Sequence, residues 1–375
     1  MNNNSLGIYI HIPFCIKKCN YCDFCSFPHL KSDIMERYSQ ELAKRIKDFA
    51  KKNPTKRVDT VYFGGGTPTL LSKECFKTVF SALYSSFDVV SNAEITVECN
   101  PASIDREGLA ALKDLGVNRL SIGLQSADEK ELALLGRAHT FDDFCVTFQD
   151  ARLMGFDNIS VDLMYGIPDQ TLQSFERTLK EVLALSPEHI SAYALKIEEG
   201  TDFYSRKDRL HLPDENTEAD LYELCNSVLD KGGYHRYEIS NFAKDKKESK
   251  HNLKYWELDD YIGFGVAAHS CFEGVRFGNS RDIDAFLRGE DICEQYEIIS
   301  ESERAAEYIM LGMRLARGID LDEYKELFKK ELKNESPCID NFIKGGFITE
   351  KDRRIAFTTK GFLVSNIILS EIISF

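Results

Sequence analysis

Cys15-Ile-Lys-Lys-Cys19-Asn-Tyr-Cys22-Asp-Phe-Cys25 packs four cysteines into one short loop near the start of the chain. The first three are spaced C-x3-C-x2-C, and thiolate is the ligand that iron–sulfur clusters take. Three thiolates can hold one face of a cube-shaped four-iron cluster and leave one iron open. An open iron is a place for chemistry, whereas a fully ligated cluster mainly moves electrons. A disulfide framework fits poorly: the chain has 11 cysteines, an odd number, most of them scattered singly, and no secretory segment precedes them. Structural zinc normally draws on two separated knuckles of Cys or His, yet the next cysteine, Cys75, stands alone. Cys15, Cys19 and Cys22 are therefore the expected ligands of a 4Fe-4S cluster.

A chain of 375 residues suffices for one large domain and a smaller one. Its composition, 43% hydrophobic and 29% charged, is that of an ordinary globular protein. No run of eighteen apolar residues offers a membrane span. The opening Met-Asn-Asn-Asn-Ser lacks the basic and apolar parts of a signal peptide, so a cytoplasmic location is expected. The net charge of −14 repels nucleic acid unless a basic face overrides it. The best basic candidate, Lys244–Lys250, interleaves acids and reads as a solvated loop, so no nucleic-acid partner is expected.

Outward from the cysteine loop, β-branched and aromatic runs alternate with helical stretches. Strands are expected at Gly7–Phe14, Thr60–Gly64, Glu94–Cys99, Arg119–Gln125, Asn158–Met164 and His189–Ile197. Helical spacing is clear in Thr171–Leu185, and Phe141–Met154 is opened by Thr140 and Asp143 and closed by Gly155. Six strands alternating with helices predict a parallel α/β sheet, open or closed. Each strand ends in glycine or a polar residue: Cys15 just beyond the first, then Gly64–Pro68, Glu98–Pro101, Gln125–Ser126, Asp162 and Lys196. In a β/α barrel, loops after the strands converge on that rim and build the site.

The cysteine spacing after an apolar strand resembles the signature of radical S-adenosylmethionine (radical SAM) proteins, and Gly64-Gly-Gly-Thr-Pro68 resembles their glycine motif. The resemblance implies a partial (β/α)6 barrel in which the open iron chelates SAM. It places Tyr9 and Glu98 against the first SAM, and glycine carbonyls of Gly65 and Gly66 near its amino group. Within the superfamily, Tyr9–Cys15, Gly64–Thr69, Ser121–Ser126, Leu135–His139 and Asp162–Pro168 are similar to the oxygen-independent coproporphyrinogen III oxidase-like branch. There, residues matching Gln125, Arg137 and Asp162 line a second SAM site, with Gly66, Thr67 and the turn at Asp23-Phe24, and Tyr21 is a further expected cofactor-binding residue.

After residue 200 the pattern changes, and Leu221–Leu229 reads as a helix ending at Gly232-Gly233. His251-Asn252-Leu-Lys-Tyr255-Trp256 contains the one tryptophan, and neutral imidazole is a good axial ligand for haem iron. H-N-x-x-Y-W after a radical SAM core resembles the motif of HemW-type haem chaperones, which makes His251 a candidate haem ligand and haem the bound cargo. His269 is a second candidate. The organisation expected is a radical SAM barrel over 1–240, a connecting segment over 241–299, and a winged-helix-like α+β domain over 300–375. The terminal apolar run Gly361–Phe375 reads as a core helix or strand, with peripheral membrane contact as a second reading.

Two functions compete on this resemblance. The first is a haem chaperone passing haem to acceptor haemoproteins, membrane-bound respiratory enzymes among them, and acting as a homodimer. The second is a coproporphyrinogen III dehydrogenase. The oxidase carries a fourth cysteine spaced C-x-C after the third, where this chain has Phe24; Cys25 gives C-x2-C instead. The short segment ahead of Cys15 and the H-N-x-x-Y-W motif also favour the chaperone. Retention of the SAM residues leaves two roles open for them, structural or gating on one side and radical chemistry on the other.

Overall fold

The computed structural model describes residues 5–28, 31–54 and 56–373. Six strands lie side by side in chain order, every neighbouring pair parallel: β1 (Ser5–Ile12), β2 (Arg57–Gly65), β3 (Asp88–Cys99), β4 (Arg119–Gln125), β5 (Ile159–Tyr165) and β6 (His189–Ala194). Helices follow each strand, as parallel pairing requires. Thr140 and Thr171 cap two of them in reciprocal capping boxes, with Asp143 and Ser174 as the third helical residues. The sheet remains open, so the barrel is partial: its outer strands are Cys293–Ile298 and His235–Arg236.

Side chains alternate across each strand, and here the alternation is chemical. One set is apolar and wholly buried against the helices: Ile8 and Ile10, Val61 and Phe63, Ile95 and Val97, Leu120 and Ile122, Ile159 and Val161, and Ile190. Burial of each such side chain contributes roughly 1.5–3 kcal/mol. The other set faces its counterparts across the barrel and is polar. Tyr62 donates to Glu98, Ser121 to Asp162, and Ser160 pairs with His189. A β/α barrel is ordinarily filled by branched aliphatics. This one has a polar lumen.

Residues 241–299, expected as a connection, instead lengthen the barrel sheet at both ends. Asn241–Ala243 runs antiparallel to β6, while Tyr261–Phe264 pairs parallel with β1 and leads into three antiparallel strands, His269–Phe272, Val275–Asn279 and Cys293–Ile298. The H-N-x-x-Y-W stretch forms a helix, Lys250–Trp256, capped by Ser249, that plugs the barrel below the starts of β1–β3. The His251 amide donates to Glu94, and Lys254 reaches Ser5, Asp59 (2.9 Å) and Asp259 (3.7 Å). Gly7 makes room for the plug: a Cβ there would stand 2.8 Å from Lys254 Cδ.

The C-terminal domain is winged-helix-like. Helices Glu301–Gly312 and Leu321–Phe328 pack beside a small antiparallel sheet of Ile319–Asp320, Arg354–Phe357 and Ile348–Lys351. The terminal apolar run forms helices Thr359–Leu363 and Ser365–Ile372, with Phe362, Ile368, Leu369 and Ile372 buried; its last two residues lie outside the described residues. Among the described residues, no helix is long and apolar enough to cross a membrane.

The plug depends on one buried cation. Lys254→Met takes the buried cation away from Asp59 and Asp259 and should lower stability by about 2 kcal/mol in chemical denaturation, less than for a fully buried pair because Asp59 is 38% exposed.

Candidate cofactor site

Beyond Pro13 the chain enters a two-residue ribbon, Phe14–Cys15 paired with Phe27–Pro28, so the cysteine loop leaves and returns at one point above β1. His11 fixes the return: its Nε2–H donates to the Cys25 carbonyl (2.8 Å), while Nδ1 accepts from the Tyr9 hydroxyl (3.0 Å). Burial holds His11 neutral, its pKa lowered to about 4. Asn20 ties the loop across the barrel mouth, donating from its amide to Leu135 O (2.9 Å) and from Nδ2 to Leu134 O (2.8 Å). Gly136 permits this contact, since it turns at φ 75° and a Cβ there would lie 2.7 Å from Asn20 Oδ1.

That tie brings Arg137 onto the loop. Its guanidinium donates to Cys19 Sγ (3.5 Å), to Asn100 Oδ1 (2.7 Å) and to Gly123 O (2.7 Å). Asn100 in turn donates to Thr67 Oγ1 (2.7 Å), and Thr67 donates to Cys15 Sγ (3.7 Å). Two of the three thiols thus receive a donor at the ends of one chain of hydrogen bonds. Such donors favour the thiolate that iron takes. Against them, burial pushes Cys15 up and Cys22 up to about 11, so metal binding must release protons here.

The glycine run forms the opposite wall. Gly66 N–H donates to Ile12 O (2.8 Å) and Thr67 N–H to Phe14 O (2.7 Å). A Cβ on Gly66 would stand 2.6 Å from Phe14 O, and Gly65 has φ 113° with the His11 ring as close. Glu98 lies beside them, accepting from Tyr62 (2.9 Å) and from Gly65 N–H (3.0 Å). Burial, aided by the nearby Asp162 charge, pushes Glu98 up to about 7. Asp162 is also raised by burial, though Ser191, Ser121 and Ser160 hydroxyls oppose that. Gln125 sits at a bulge with φ 69°, a costly conformation for a residue other than glycine, and its Oε1 is buried without a partner. A strained residue holding an orphaned acceptor over a cavity is the mark of a ligand site.

Cys15, Cys19, Cys22, Tyr21, Phe24, Gly65, Gly66, Thr67, Glu98, Gln125, Arg137 and Asp162 line one cavity of about 140 Å3. Asp23 lines an adjoining cavity of about 390 Å3 that shares Glu98, Gln125 and Asp162. Among the described residues, no three His, Cys, Asp or Glu side chains close on single-ion geometry. A cube distributes its thiolates over three irons, and three thiols opening on one cavity suit that donor set. Asn20 and Asn100 escaped the sequence reading; Asn100 lies in the recognised strand end Glu98–Pro101, but its role comes from where Arg137 arrives.

Tyr9 lies outside both cavities, stacked on Tyr62 at 6.2 Å and bonded to His11. His251 requires a correction. It is wholly buried in the plug, its ring bonded to Thr60 Oγ1 (2.8 Å) through Nδ1 and to the Tyr255 hydroxyl (2.8 Å) through Nε2. Neither nitrogen is available to haem iron in this arrangement, because the motif helix turns the imidazole into the barrel floor. His269 is exposed, on the strand His269–Phe272.

The Radical SAM superfamily model matches residues 9–182, and the HemN C-terminal domain model matches residues 299–364. The chain is 36% identical over 367 residues to "Heme chaperone HemW" of Bacillus subtilis (strain 168), covering 96% of each chain. It is 33% identical over 373 residues to the protein of the same name in Escherichia coli (strain K12), covering 97% of each. The chain belongs to the HemW family of radical SAM proteins. Its fold is similar to that of coproporphyrinogen III oxidase (HemN) from Escherichia coli, with a TM-score of 0.87, 23% identity, and coverage of 98% of this chain and 89% of the oxidase. Membership of the radical SAM superfamily implies a 4Fe-4S cluster and SAM.

Two outcomes follow for this HemW-family site. Gly66→Ala drives a methyl into the Phe14 carbonyl, so anaerobic reconstitution should give well under half the wild-type iron per chain, read by iron and sulfide analysis. His251→Ala should cost about 2 to 4 kcal/mol at pH 7, since it leaves Thr60 and Tyr255 without a partner in a cavity. It should leave any haem absorbance spectrum unchanged. Burial lowers His251 to about 3, so the folded state stays neutral where the unfolded state binds a proton. Stability is therefore full above about pH 6.5 and lost as pH falls toward 3, and the variant should show a slope shallower by about one proton in that window.

Proposed function

We propose that this chain is a haem chaperone that binds haem on a radical SAM scaffold and passes it to haem-accepting proteins. The observation that carries the reading is the near-complete alignment with relatives named haem chaperones, 36% and 33% identical over 96% and 97% of the chain. Phe24, at the position of the oxidase's fourth cysteine, supports it from the sequence side.

In this reading Cys15, Cys19 and Cys22 hold the 4Fe-4S cluster, with Arg137 and Thr67 donating to two of the sulfurs. When bound, the cluster supplies one electron at an iron open to SAM. Gly65 and Gly66 admit the ligand's amino group because no side chain blocks their backbone. Glu98, with its pKa near 7, accepts from ribose hydroxyls, and Gln125 offers its orphaned carbonyl oxygen. Asp162, Tyr21 and the Asp23-Phe24 turn complete the wall toward the larger cavity. Tyr9 acts from behind, stacking on the Tyr62 that orients Glu98. Haem acceptors at a membrane surface, a cytoplasmic location and a homodimer belong to the same reading, and the net charge of −14 sets nucleic acid aside.

The test is an anaerobic haemin titration of cluster-loaded protein followed by difference absorbance. Saturation near one haem per chain is expected, with no decarboxylated product when coproporphyrinogen III, SAM and dithionite are supplied. Non-saturating haem uptake together with conversion of coproporphyrinogen III would overturn the chaperone in favour of the dehydrogenase.

A further inference from the structure

Arg119 opens β4 with its side chain directed into the lumen, and it is the largest side chain in the protein that is essentially buried, at 1% exposure. Its Nε has no hydrogen-bond partner, and no carboxylate among the described residues forms an ion pair with it. A guanidinium taken out of water is costly unless its charge and donors are met. The acids within its electrostatic reach are already engaged: Glu98 accepts from Tyr62 and Gly65, and Asp162 from Ser121 and Ser160. The imidazoles of His189 and His251 below it are likewise bonded, to Ser160 and Tyr237 and to Thr60 and Tyr255.

Arg119 lines the cavity of about 390 Å3 that continues inward from the candidate SAM site. A volume of this order is ligand-sized. Met164, Tyr193 and Leu195 give the cavity its apolar lining, with Lys196 and Glu198 following them in the chain. Apolar walls over a buried, unpartnered fork of N–H donors fit one class of molecule, a largely apolar body carrying a carboxylate, because a guanidinium binds that group with two parallel hydrogen bonds.

We propose that Arg119 anchors a carboxylate of the cavity's ligand, so that the barrel lumen selects its cargo by an acid group as well as by apolar shape. Resting on the haem reading above, the cargo is haem and the group is a propionate. Arg119 is then a specificity-determining residue for the cargo, and the polar lumen is the reason the charge can be kept buried until the ligand arrives.

The probes are haemin and haemin dimethyl ester, whose propionates are masked, titrated anaerobically into cluster-loaded wild type, Arg119→Met and Arg119→Gln. Wild type should bind the free acid about ten- to a hundredfold more tightly than the ester, the range for one charge-assisted pair. Both variants should bind acid and ester alike, at the affinity wild type shows for the ester. Using two variants covers the case in which one fails to fold, checked by thermal unfolding. Equal binding of acid and ester by wild type, or retention of the preference in a folded variant, would overturn the anchor while leaving haem binding intact. Absence of saturable haemin binding in wild type would instead overturn the haem reading and the propionate anchor with it.

Discussion

One guanidinium organises the mouth of this barrel. Arg137 touches three chain segments at once: the cysteine loop through Cys19, the turn after β3 through Asn100, and the β4 backbone through Gly123. The planar fork lets a single side chain fix all three, which a lysine could not do. Through Asn100 and Thr67 the same network reaches Cys15, so the first two of the three candidate ligands, Cys15 and Cys19, are set by one donor chain. Asn20 and Gly136 exist in this scheme to deliver Arg137, one by pinning the loop, the other by turning the backbone out of its way.

The second constraint is the division of labour between the two faces of the strands. Apolar residues turned outward against helices supply the stability of the barrel, which leaves the inward positions free for polar groups. Those groups are expensive inside a protein unless satisfied. Most satisfy one another, and the helix Lys250–Trp256 closes the floor with bonds to Thr60, Glu94 and Asp59. Among the exceptions, Gln125 and Arg119 carry orphaned atoms and line the cavities, whereas the orphaned Thr96 hydroxyl lines neither. Stability and function are thereby separated by strand parity, and two of the unsatisfied groups, on Gln125 and Arg119, stand where a ligand can reach them.

The six barrel strands were legible because each couples a β-branched or aromatic run to a glycine or polar end, all of it local. Strands such as Tyr261–Phe264 and Cys293–Ile298 were not: both are short, the first forms by pairing with β1 far earlier in the chain, and the second is exposed throughout and pairs with Val275–Asn279. At the site, residue types with ligand chemistry could be picked out from their strand-end positions, and twelve of the sixteen chosen residues line one cavity. Asn20 and Asn100 could not, since an asparagine after a strand has many uses and only the arrival of Arg137 gives these two theirs. His251 shows the converse. Its motif suggested a free imidazole, but whether an imidazole is free depends on Thr60, nearly two hundred residues away in sequence.

In the proposed function, Cys15, Cys19 and Cys22 hold a cluster with one iron open toward the cavity lined by Glu98 and Gln125. The most direct measurement is the electron paramagnetic resonance spectrum of the reduced, reconstituted protein before and after SAM is added. A four-iron signal whose g values change on SAM addition is expected, because a new ligand meets the open iron. A spectrum identical with and without SAM, at concentrations that saturate SAM binding measured independently, would contradict it.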